Sequence, residues 1–216
     1  MKKLVIFDLD GTLLDTTRSM QVCGNYALEA LGLPGFPRER YKNFSGGGVE
    51  GYVFAVLDAA GDTEHRLFAD FWRLHCARNE HLSPEDIEPY EGIPEVLAAL
   101  KEKGIAFAVL SNKDQSSCDV VVQRYFGTES FTVIRGDRED GIVKPDPAGV
   151  FAILEELGLS REECLYVGDT EIDMETGKRA GVDTVAALWG YRPREVLEKF
   201  EPEHFISHPS ALLSLI

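Results

Sequence analysis

Residues 4–12 of the chain read LVIFDLDGT, an apolar run followed directly by two aspartates, a glycine and a threonine. The apolar run is typical of a strand that is buried on both faces. Carboxylates two positions apart at the end of a strand point to the same side, and the glycine lets the chain turn sharply behind them. Asp8 and Asp10 are therefore placed to act together on a hard cation and a phosphate group. An isolated Asp-x-Asp pair, by contrast, is usually an acidic turn.

Three further apolar runs have the length of buried strands: residues 106–110, 164–167 and 184–188. Amphipathic helical patterns separate them, at residues 94–103, Ala148–Leu157 and Glu171–Ala180, and a glycine follows each pattern. Strands that alternate with helices are typical of a parallel sheet covered by helices. We therefore predict an α/β fold with a doubly wound parallel sheet.

The stretch between residues 16 and 88 interrupts this alternation because it contains no convincing strand. Connections in such folds usually run about 2–6 residues, so a stretch this long must form a structure of its own. Apolar residues recur in it at helical spacing: Tyr26, Ala27 and Leu31; Tyr52, Val53, Val56 and Leu57; Leu67, Phe68, Phe71, Trp72 and His75. We predict a helical domain over residues 16–88, inserted into a domain formed by residues 1–15 and 89–216.

The composition, 44% hydrophobic and 27% charged over 216 residues, is typical of a soluble globular chain. The net charge of −15 argues against nucleic acid or an anionic membrane as a general partner. No run approaches the ~18 apolar residues of a membrane span. The four cysteines lack the spacing of a zinc site, so we expect reduced thiols in a cytoplasmic protein. We expect a monomer or a homodimer.

Polar residues follow the predicted strands at the edge where open α/β sheets bind their ligands. Ser111 and Asn112 follow the second strand, and Asp169 follows the third. Asp173 comes one helical turn later, and Lys144 precedes the helix that leads into the third strand. We expect these side chains to meet the two aspartates of the first strand at one edge of the sheet.

Four short motifs stand in order along the chain: DLDGTL at residues 8–13, SN at 111–112, KP at 144–145 and GDTEID at 168–173. In this order and spacing they resemble the haloacid dehalogenase superfamily, in its large branch of aspartyl-phosphatases. The resemblance covers the whole chain and includes a helical cap inserted after the first motif. It implies an Mg²⁺-dependent enzyme that hydrolyses a small-molecule phosphate ester.

The same resemblance implies a role for each acidic residue. Asp8 is expected to attack phosphorus as the nucleophile, ionised at neutral pH because a carboxyl group has a low pKa. Asp10 is expected to protonate the leaving group and then to deprotonate the hydrolytic water. The Asp8 side chain, the Asp10 carbonyl oxygen and Asp169 are expected to hold Mg²⁺. Asp173 is expected to orient a metal-bound water.

Five further residues are implied to contact the substrate: Ser111, Asn112, Lys144, Gly11 and Gly47. The Ser111 hydroxyl, the Asn112 amide and backbone N–H groups near Gly11 are expected to bind phosphate oxygens. Lys144 is expected to neutralise charge on the nucleophile and on the transferring phosphoryl group. Gly47 belongs to a glycine-rich loop, NFSGGG at residues 43–48, whose backbone would press on the substrate.

Several alternatives stay open within and beyond this branch. Relatives that cleave carbon–halogen or carbon–phosphorus bonds lack a carboxylate at the position of Asp10. Lys42 is therefore not expected to form the Schiff base of a phosphonate hydrolase. Sugar-phosphate mutases keep both aspartates and are an alternative function. A phosphoryl-accepting switch module or an inactive binding protein is a further alternative, but Asp10 and the inserted stretch favour turnover.

Phosphoglycolate phosphatases resemble this chain in the glycine-rich loop, in SNK at residues 111–113 and in WGY at residues 189–191. Their loop more often places a single residue between two glycines, so the three consecutive glycines leave the choice of substrate open. We expect a small phosphorylated metabolite, with Arg40 or Lys42 available to a carboxylate of the substrate.

Overall fold

The computed structural model describes residues 1–127, 130–138 and 142–216, and this chain divides into two compact units. The core unit comprises Met1–Leu14 and Pro89–Ile216, and the inserted unit comprises Asp15–Glu88. The interpretation of these units as a catalytic core and a substrate-binding cap stays a proposal.

The strands are β1 (Leu4–Phe7), β2 (Leu14–Asp15), β3 (Glu88–Pro89), β4 (Ala106–Asp114), β5 (Val133–Asp137), β6 (Cys164–Gly168), β7 (Asp183–Ala187) and β8 (His204–Ile206). The helices are α1 (Thr17–Ala30), α2 (Arg38–Phe44), α3 (Gly48–Ala60), α4 (Phe68–Asn79), α5 (Ile93–Glu102), α6 (Gln115–Phe126), α7 (Ala148–Leu157), α8 (Glu171–Ala180) and α9 (Arg194–Leu197). Short 3₁₀ turns occupy Pro84–Asp86, Arg161–Glu163, Glu198–Phe200 and Pro209–Ser214.

The core unit contains a six-stranded sheet in the order β5-β4-β1-β6-β7-β8, and its strand pairs are parallel. Leu4 of β1 is level with Ala106 of β4 on one side and with Cys164 of β6 on the other. From β1 the chain winds outward in both directions, which confirms the predicted doubly wound parallel sheet. Ligands of such sheets bind at the carboxyl ends of the strands where the order reverses, here β4, β1 and β6.

The central strand β1 is buried on both faces, since each of its four residues is at most 1% exposed. Leu4 and Ile6 belong to one buried apolar cluster with Val150 of α7. Val5 and Phe7 point to the opposite face because side chains alternate along a strand. This double burial explains why the strand reads as an uninterrupted apolar run, and it fixes the position of the residue that follows.

The strand β4 is longer than its apolar run predicts. It continues beyond Leu110 to Asp114, and its register against β5 shifts between these two residues. Asp114 then caps α6 by accepting the N–H of Ser117 over 2.9 Å. The polar residues predicted to follow the strand therefore lie within it. The sequence patterns did not predict the edge strands β5 and β8. The sequence of β5, VIRGD, is not a continuous apolar run, and β8 has only three residues.

The inserted unit has an apolar core of its own among helices α1–α4. Leu28, Tyr41, Val53, Leu57 and Phe71 are fully buried in it. This core accounts for most of the helical spacing of apolar residues in the sequence, but Tyr26 is 46% exposed and lies outside it. Along the described chain, no helix combines the length and the apolar character needed to cross a membrane.

Candidate active site

The end of β1 presents Asp8 at the edge of the sheet. Its N–H donates to the Val167 carbonyl oxygen over 2.9 Å, which continues the pairing of β1 with β6. The Asp8 side chain is 9% exposed. The pKa of Asp8 is raised to about 7, mainly by burial and next by the charge of Asp173, while Lys144 opposes the rise. The expected low pKa of Asp8 is therefore wrong for the protein alone, because the carboxylate has lost most of its hydration.

Lys144 is the cation that faces Asp8. Its Nζ lies 2.7 Å from Asp8 Oδ1 and 2.7 Å from Asp173 Oδ1, and its side chain is 4% exposed. Burial opposes the charged form, but the carboxylates of Asp173 and Asp8 raise the pKa of Lys144 well above its ordinary value. Lys144 is therefore an ammonium at neutral pH, placed to neutralise charge on Asp8.

Asn112 holds the backbone of Lys144 at two points. Its Nδ2 donates to the Lys144 carbonyl oxygen over 3.0 Å, and its Oδ1 accepts the Lys144 N–H over 2.7 Å. Both polar ends of the amide are thereby engaged with the protein chain. These two bonds aim Lys144, and the phosphate contact of Asn112 stays a prediction.

Asp169, at the end of β6, is fully buried. The Thr12 hydroxyl donates to Oδ1 over 2.8 Å, and the Tyr191 N–H donates to Oδ2 over 2.7 Å. Burial, together with the charges of Asp173 and Asp8, raises the pKa of Asp169 well above its ordinary value. Two hydrogen bonds thus fix the orientation of a carboxylate that burial leaves short of positive charge.

Two glycines make room for Asp169. A Cβ on Gly11 would lie 2.3 Å from Asp169 Oδ2, and a Cβ on Gly190 would lie 2.2 Å from the Asp169 Cβ. Gly11 also has a φ of +90°, a conformation that residues with a side chain rarely adopt. Its N–H donates to the Leu14 carbonyl oxygen over 2.8 Å. Gly11 therefore permits the close approach of Asp169, and its contact with the substrate stays a prediction.

Asp173 lies in the first turn of α8 and is fully buried. Its Oδ2 accepts from the N–H and the hydroxyl of Thr170, over 3.0 and 2.6 Å. Its Oδ1 accepts from Lys144 and, over 3.2 Å, from the Tyr166 hydroxyl. Burial raises the pKa of Tyr166 well above its ordinary value, so this phenol is a neutral donor. Asp173 therefore locks Lys144 to the turn between β6 and α8.

Asp10 points its two oxygens into different surroundings. Lys113 Nζ lies 2.8 Å from Asp10 Oδ2. Burial opposes the charged form of Lys113, but Asp10 raises the pKa of Lys113 above its ordinary value. Asp10 Oδ1 is buried and has no hydrogen-bond partner among the described residues. The two oxygens of this carboxylate therefore differ, since a cation holds only Oδ2.

Ser111 lies next to this pair and is also buried. Its Oγ accepts the Lys113 N–H over 3.2 Å. A hydroxyl that accepts through a lone pair keeps its hydrogen for donation. The predicted donation by Ser111 to a phosphate oxygen is compatible with this geometry and stays a prediction.

The carboxylates of Asp8, Asp169 and Asp173 fit a hard divalent cation. Each offers an oxygen, and these oxygens lie within 4.8 Å of one another. Oxygen donors and negative charge are what Mg²⁺ and Ca²⁺ require. Burial raises the pKa of Asp8 and of Asp169, so a nearby positive charge would stabilise the ionised form of each carboxylate. A bound cation would supply that charge.

A family model described as haloacid dehalogenase-like hydrolase matches residues 5–187, a span that includes each of these carboxylates. The chain belongs to the haloacid dehalogenase-like hydrolases. This membership confirms the resemblance and the predicted enzyme class.

Two named relatives of this hydrolase are similar to it over nearly its whole length. It is 35% identical to the phosphoglycolate phosphatase of Aquifex aeolicus, covering 99% of this chain and 96% of the relative. It is 30% identical to the N-acetylmuramic acid 6-phosphate phosphatase of Pseudomonas aeruginosa, covering 99% and 94%. A solved structure of a predicted phosphoglycolate phosphatase from Haemophilus somnus superposes with a TM-score of 0.91, covering 99% and 97%. At 24% identity, that structure supports the fold alone.

Some contacts of the hydrolase site could not be found by the sequence patterns. Thr12 stands in the first motif, but its bond to Asp169 needs two distant segments to meet. Tyr166 is a polar interruption of an apolar strand, a weak sign of a buried contact. Tyr191 acts through its backbone N–H, which no residue type reveals. Lys113 stands directly after Ser111 and Asn112, and this position was the one sequence signal that it lies near the site.

In the inserted unit, Gly47 is the residue before α3. It stands between Gly46 and Gly48, whose φ angles of 116° and 66° require glycine. The Arg40 guanidinium lies 5.7 and 5.8 Å from the ring centres of two phenylalanines of this unit, Phe36 and Phe44. The substrate contacts of Gly47, Arg40 and Lys42 stay predictions.

Proposed function

We propose that this hydrolase is an Mg²⁺-dependent phosphatase that removes phosphate from a small phosphorylated carboxylic acid through an aspartyl-phosphate on Asp8. The observation that carries the proposal is the buried contact of Lys144 with Asp8 and Asp173, beside Asp169. A nucleophilic carboxylate, a fixed cation and an oxygen-rich cation site are what phosphoryl transfer to a carboxylate requires.

The first half-reaction forms the phosphoenzyme. An Asp8 oxygen attacks phosphorus while the bond from phosphorus to the ester oxygen breaks, and its electron pair goes to that oxygen. Asp10 gives the departing oxygen a proton, so the alcohol leaves neutral. Lys144 stays beside Asp8 and stabilises the charge that develops there.

The second half-reaction restores the enzyme. Asp10 takes a proton from water, the water oxygen attacks phosphorus, and the bond from phosphorus to Asp8 breaks with its electron pair returning to the carboxylate. Asp8 and Asp169 would hold Mg²⁺, together with the Asp10 carbonyl oxygen, and the ion would draw charge from the phosphate oxygens. Asp173, whose oxygens contact Lys144, Tyr166 and Thr170, would keep this arrangement rigid.

The proposed substrate class rests on two relatives. One is named for phosphoglycolate and the other for N-acetylmuramic acid 6-phosphate. Both names denote a phosphate ester that also carries an acid group. The net charge of −15 does not oppose such a substrate, because a bound cation and Lys144 reverse the field locally.

Two matched pairs of phosphate esters test the proposal. Phosphoglycolate is compared with 2-hydroxyethyl phosphate, and N-acetylmuramic acid 6-phosphate with N-acetylglucosamine 6-phosphate, and released phosphate is measured. We expect a higher kcat/KM for the acid of at least one pair. Equal kcat/KM values within both pairs would contradict recognition of the acid group. Formation of an isomeric phosphate ester in place of free phosphate would indicate a mutase.

Chelation tests the metal. Activity should disappear in excess EDTA and return with Mg²⁺, while Asp119→Asn, a change on the surface of α6, should behave as the wild type does. Activity that is indifferent to EDTA would exclude the predicted metal.

A further inference from the structure

The pair formed by Lys113 and Asp10 is left unexplained by the proposed reaction. Lys113 Nζ lies 2.8 Å from Asp10 Oδ2, and the two side chains are 27% and 18% exposed. Asp10 Oδ1 is buried and forms no hydrogen bond with any residue that the structure describes. The two oxygens of one reactive carboxylate therefore differ in their surroundings.

We propose that Lys113 is a positioning residue that holds Asp10 through Oδ2, an inference that rests on the proposed function. Oδ1 is then the oxygen that donates and accepts the proton during the reaction. An ammonium group only donates hydrogen bonds. A proton on Oδ2 would face the hydrogens of Lys113 at this short distance. The neutral acid therefore carries its proton on Oδ1.

The backbone on both sides of Lys113 is fixed, which gives the lysine a defined direction. Its N–H donates to Ser111 Oγ over 3.2 Å. The next residue, Asp114, accepts from the N–H of Ser117 at the start of α6. The register shift of β4 between Leu110 and Asp114 falls over the same residues. Lys113 is thus anchored in a strand and not in a free loop.

The role can be followed through both steps of the reaction. When the bond from phosphorus to the ester oxygen breaks, the proton moves from Oδ1 to that oxygen and Oδ1 keeps the electron pair. When water attacks the phosphoenzyme, Oδ1 takes a proton from the water. Lys113 donates to Oδ2 throughout, so the carboxyl group does not rotate between the two steps.

The consequence is a dependence on the leaving group. An alkoxide is a poor leaving group and needs a proton from Asp10, whereas p-nitrophenolate leaves without one. General acid catalysis contributes about 10²–10⁴-fold, and misplacement of a catalytic group by about 1 Å can cost about 10²-fold. Loss of Lys113 should therefore slow alkyl esters far more than the p-nitrophenyl ester.

The test measures kcat/KM of Lys113→Met for phosphoglycolate, 2-hydroxyethyl phosphate and p-nitrophenyl phosphate. This constant contains only the steps up to departure of the leaving group, so the shared hydrolysis of the phosphoenzyme does not mask the effect. We expect a loss of roughly tenfold or more for both alkyl esters and of less than roughly threefold for p-nitrophenyl phosphate.

Two further variants serve as controls. Lys113→Arg keeps a cation in reach of Oδ2 and should restore part of the lost activity on alkyl esters. Lys103→Met makes the same change at an exposed position after α5 and should leave all three constants unchanged. The melting temperatures of the variants show whether each one is folded.

The outcomes separate the possible roles. Equal losses for all three esters would overturn the inference in favour of a structural role. A loss confined to phosphoglycolate would overturn it in favour of a contact with the substrate carboxylate. Failure of the wild-type protein to release phosphate from any of the esters would instead overturn the proposed function.

Discussion

The end of the core sheet and the interior of the inserted unit bury different kinds of side chain. At the end of the core sheet, Asp8, Lys144, Asp169 and Asp173 are buried. In the inserted unit, the interior is aliphatic and aromatic and includes the fully buried Phe71. Burial of apolar surface stabilises a fold by about 25 cal/mol per Å², whereas burial of charge opposes folding unless each charge is paired. The apolar interior of the inserted unit therefore stabilises its fold, whereas the buried charges of the core site do not by themselves favour folding.

The largest expected effect is a loss of turnover in a variant whose core unit remains folded. Asp8→Asn removes the nucleophile, and turnover should fall by roughly 10⁴-fold or more. The variant should remain folded because Lys144 keeps Asp173 as a partner. Phosphate release and circular dichroism check the two expectations. Asp119→Asn is the matched control, and activity of Asp8→Asn close to that control would remove Asp8 as the nucleophile.

The next largest expected effect is a loss of stability in the inserted unit. Phe71→Ala empties a fully buried site and should lower the free energy of unfolding by about 3–5 kcal/mol. Phe54→Ala, at a half-buried position of the same unit, should cost less. Trp72 lies in the inserted unit and Trp189 in the core unit, so single-tryptophan variants follow the two units separately in denaturant. Equal losses for the two phenylalanine variants would contradict the packing of Phe71.

A smaller effect is expected when one glycine in each unit is replaced by alanine and the stabilities of the two variants are compared. Gly190→Ala would place its Cβ 2.2 Å from the Asp169 Cβ, which should cost about 1–3 kcal/mol of stability and weaken Mg²⁺ binding. Gly51→Ala in α3 meets nothing within 4 Å and should be stabilising by about 0.5–1 kcal/mol. Unfolding in denaturant and calorimetric titration with Mg²⁺ measure both. Matching behaviour of the two variants would show that Asp169 is not closely enclosed.

The smallest effect concerns pH. The pKa of Asp8 is about 7 in the folded protein and ~3.9 in the unfolded chain, so between these values the folded state binds more protons. This contribution therefore lowers stability as pH rises toward 7. Without metal, the melting temperature of Asp8→Asn relative to that of the wild type should therefore be higher at pH 8 than at pH 5.

Addition of Mg²⁺ sharpens the pH experiment. The ion should raise the melting temperature of the wild type more at pH 8 than at pH 5, because protons and the ion compete for the same carboxylates. Parallel melting curves for the wild type and Asp8→Asn at all pH values would contradict the raised pKa of Asp8.

Several features of the site follow from the sequence because they depend on local pattern. The apolar run before Asp8 identified the central strand, since a strand buried on both faces has no polar position. The order of strands and helices predicted the parallel sheet, and the sheet brings Asp8 and Asp169 to one edge. The raised pKa of Asp8 could not be predicted, because it depends on how much water the surrounding chain excludes.

The sequence by itself determined the fold class and the family of this protein, because apolar periodicity and motif order are properties of consecutive residues. Tertiary structure alone decided how the reactive groups are aimed. Asn112 became a clamp on Lys144, Gly11 a space for Asp169, and Lys113 the partner of Asp10. Each of these contacts joins segments far apart in the chain, and its direction depends on distances that only packing sets.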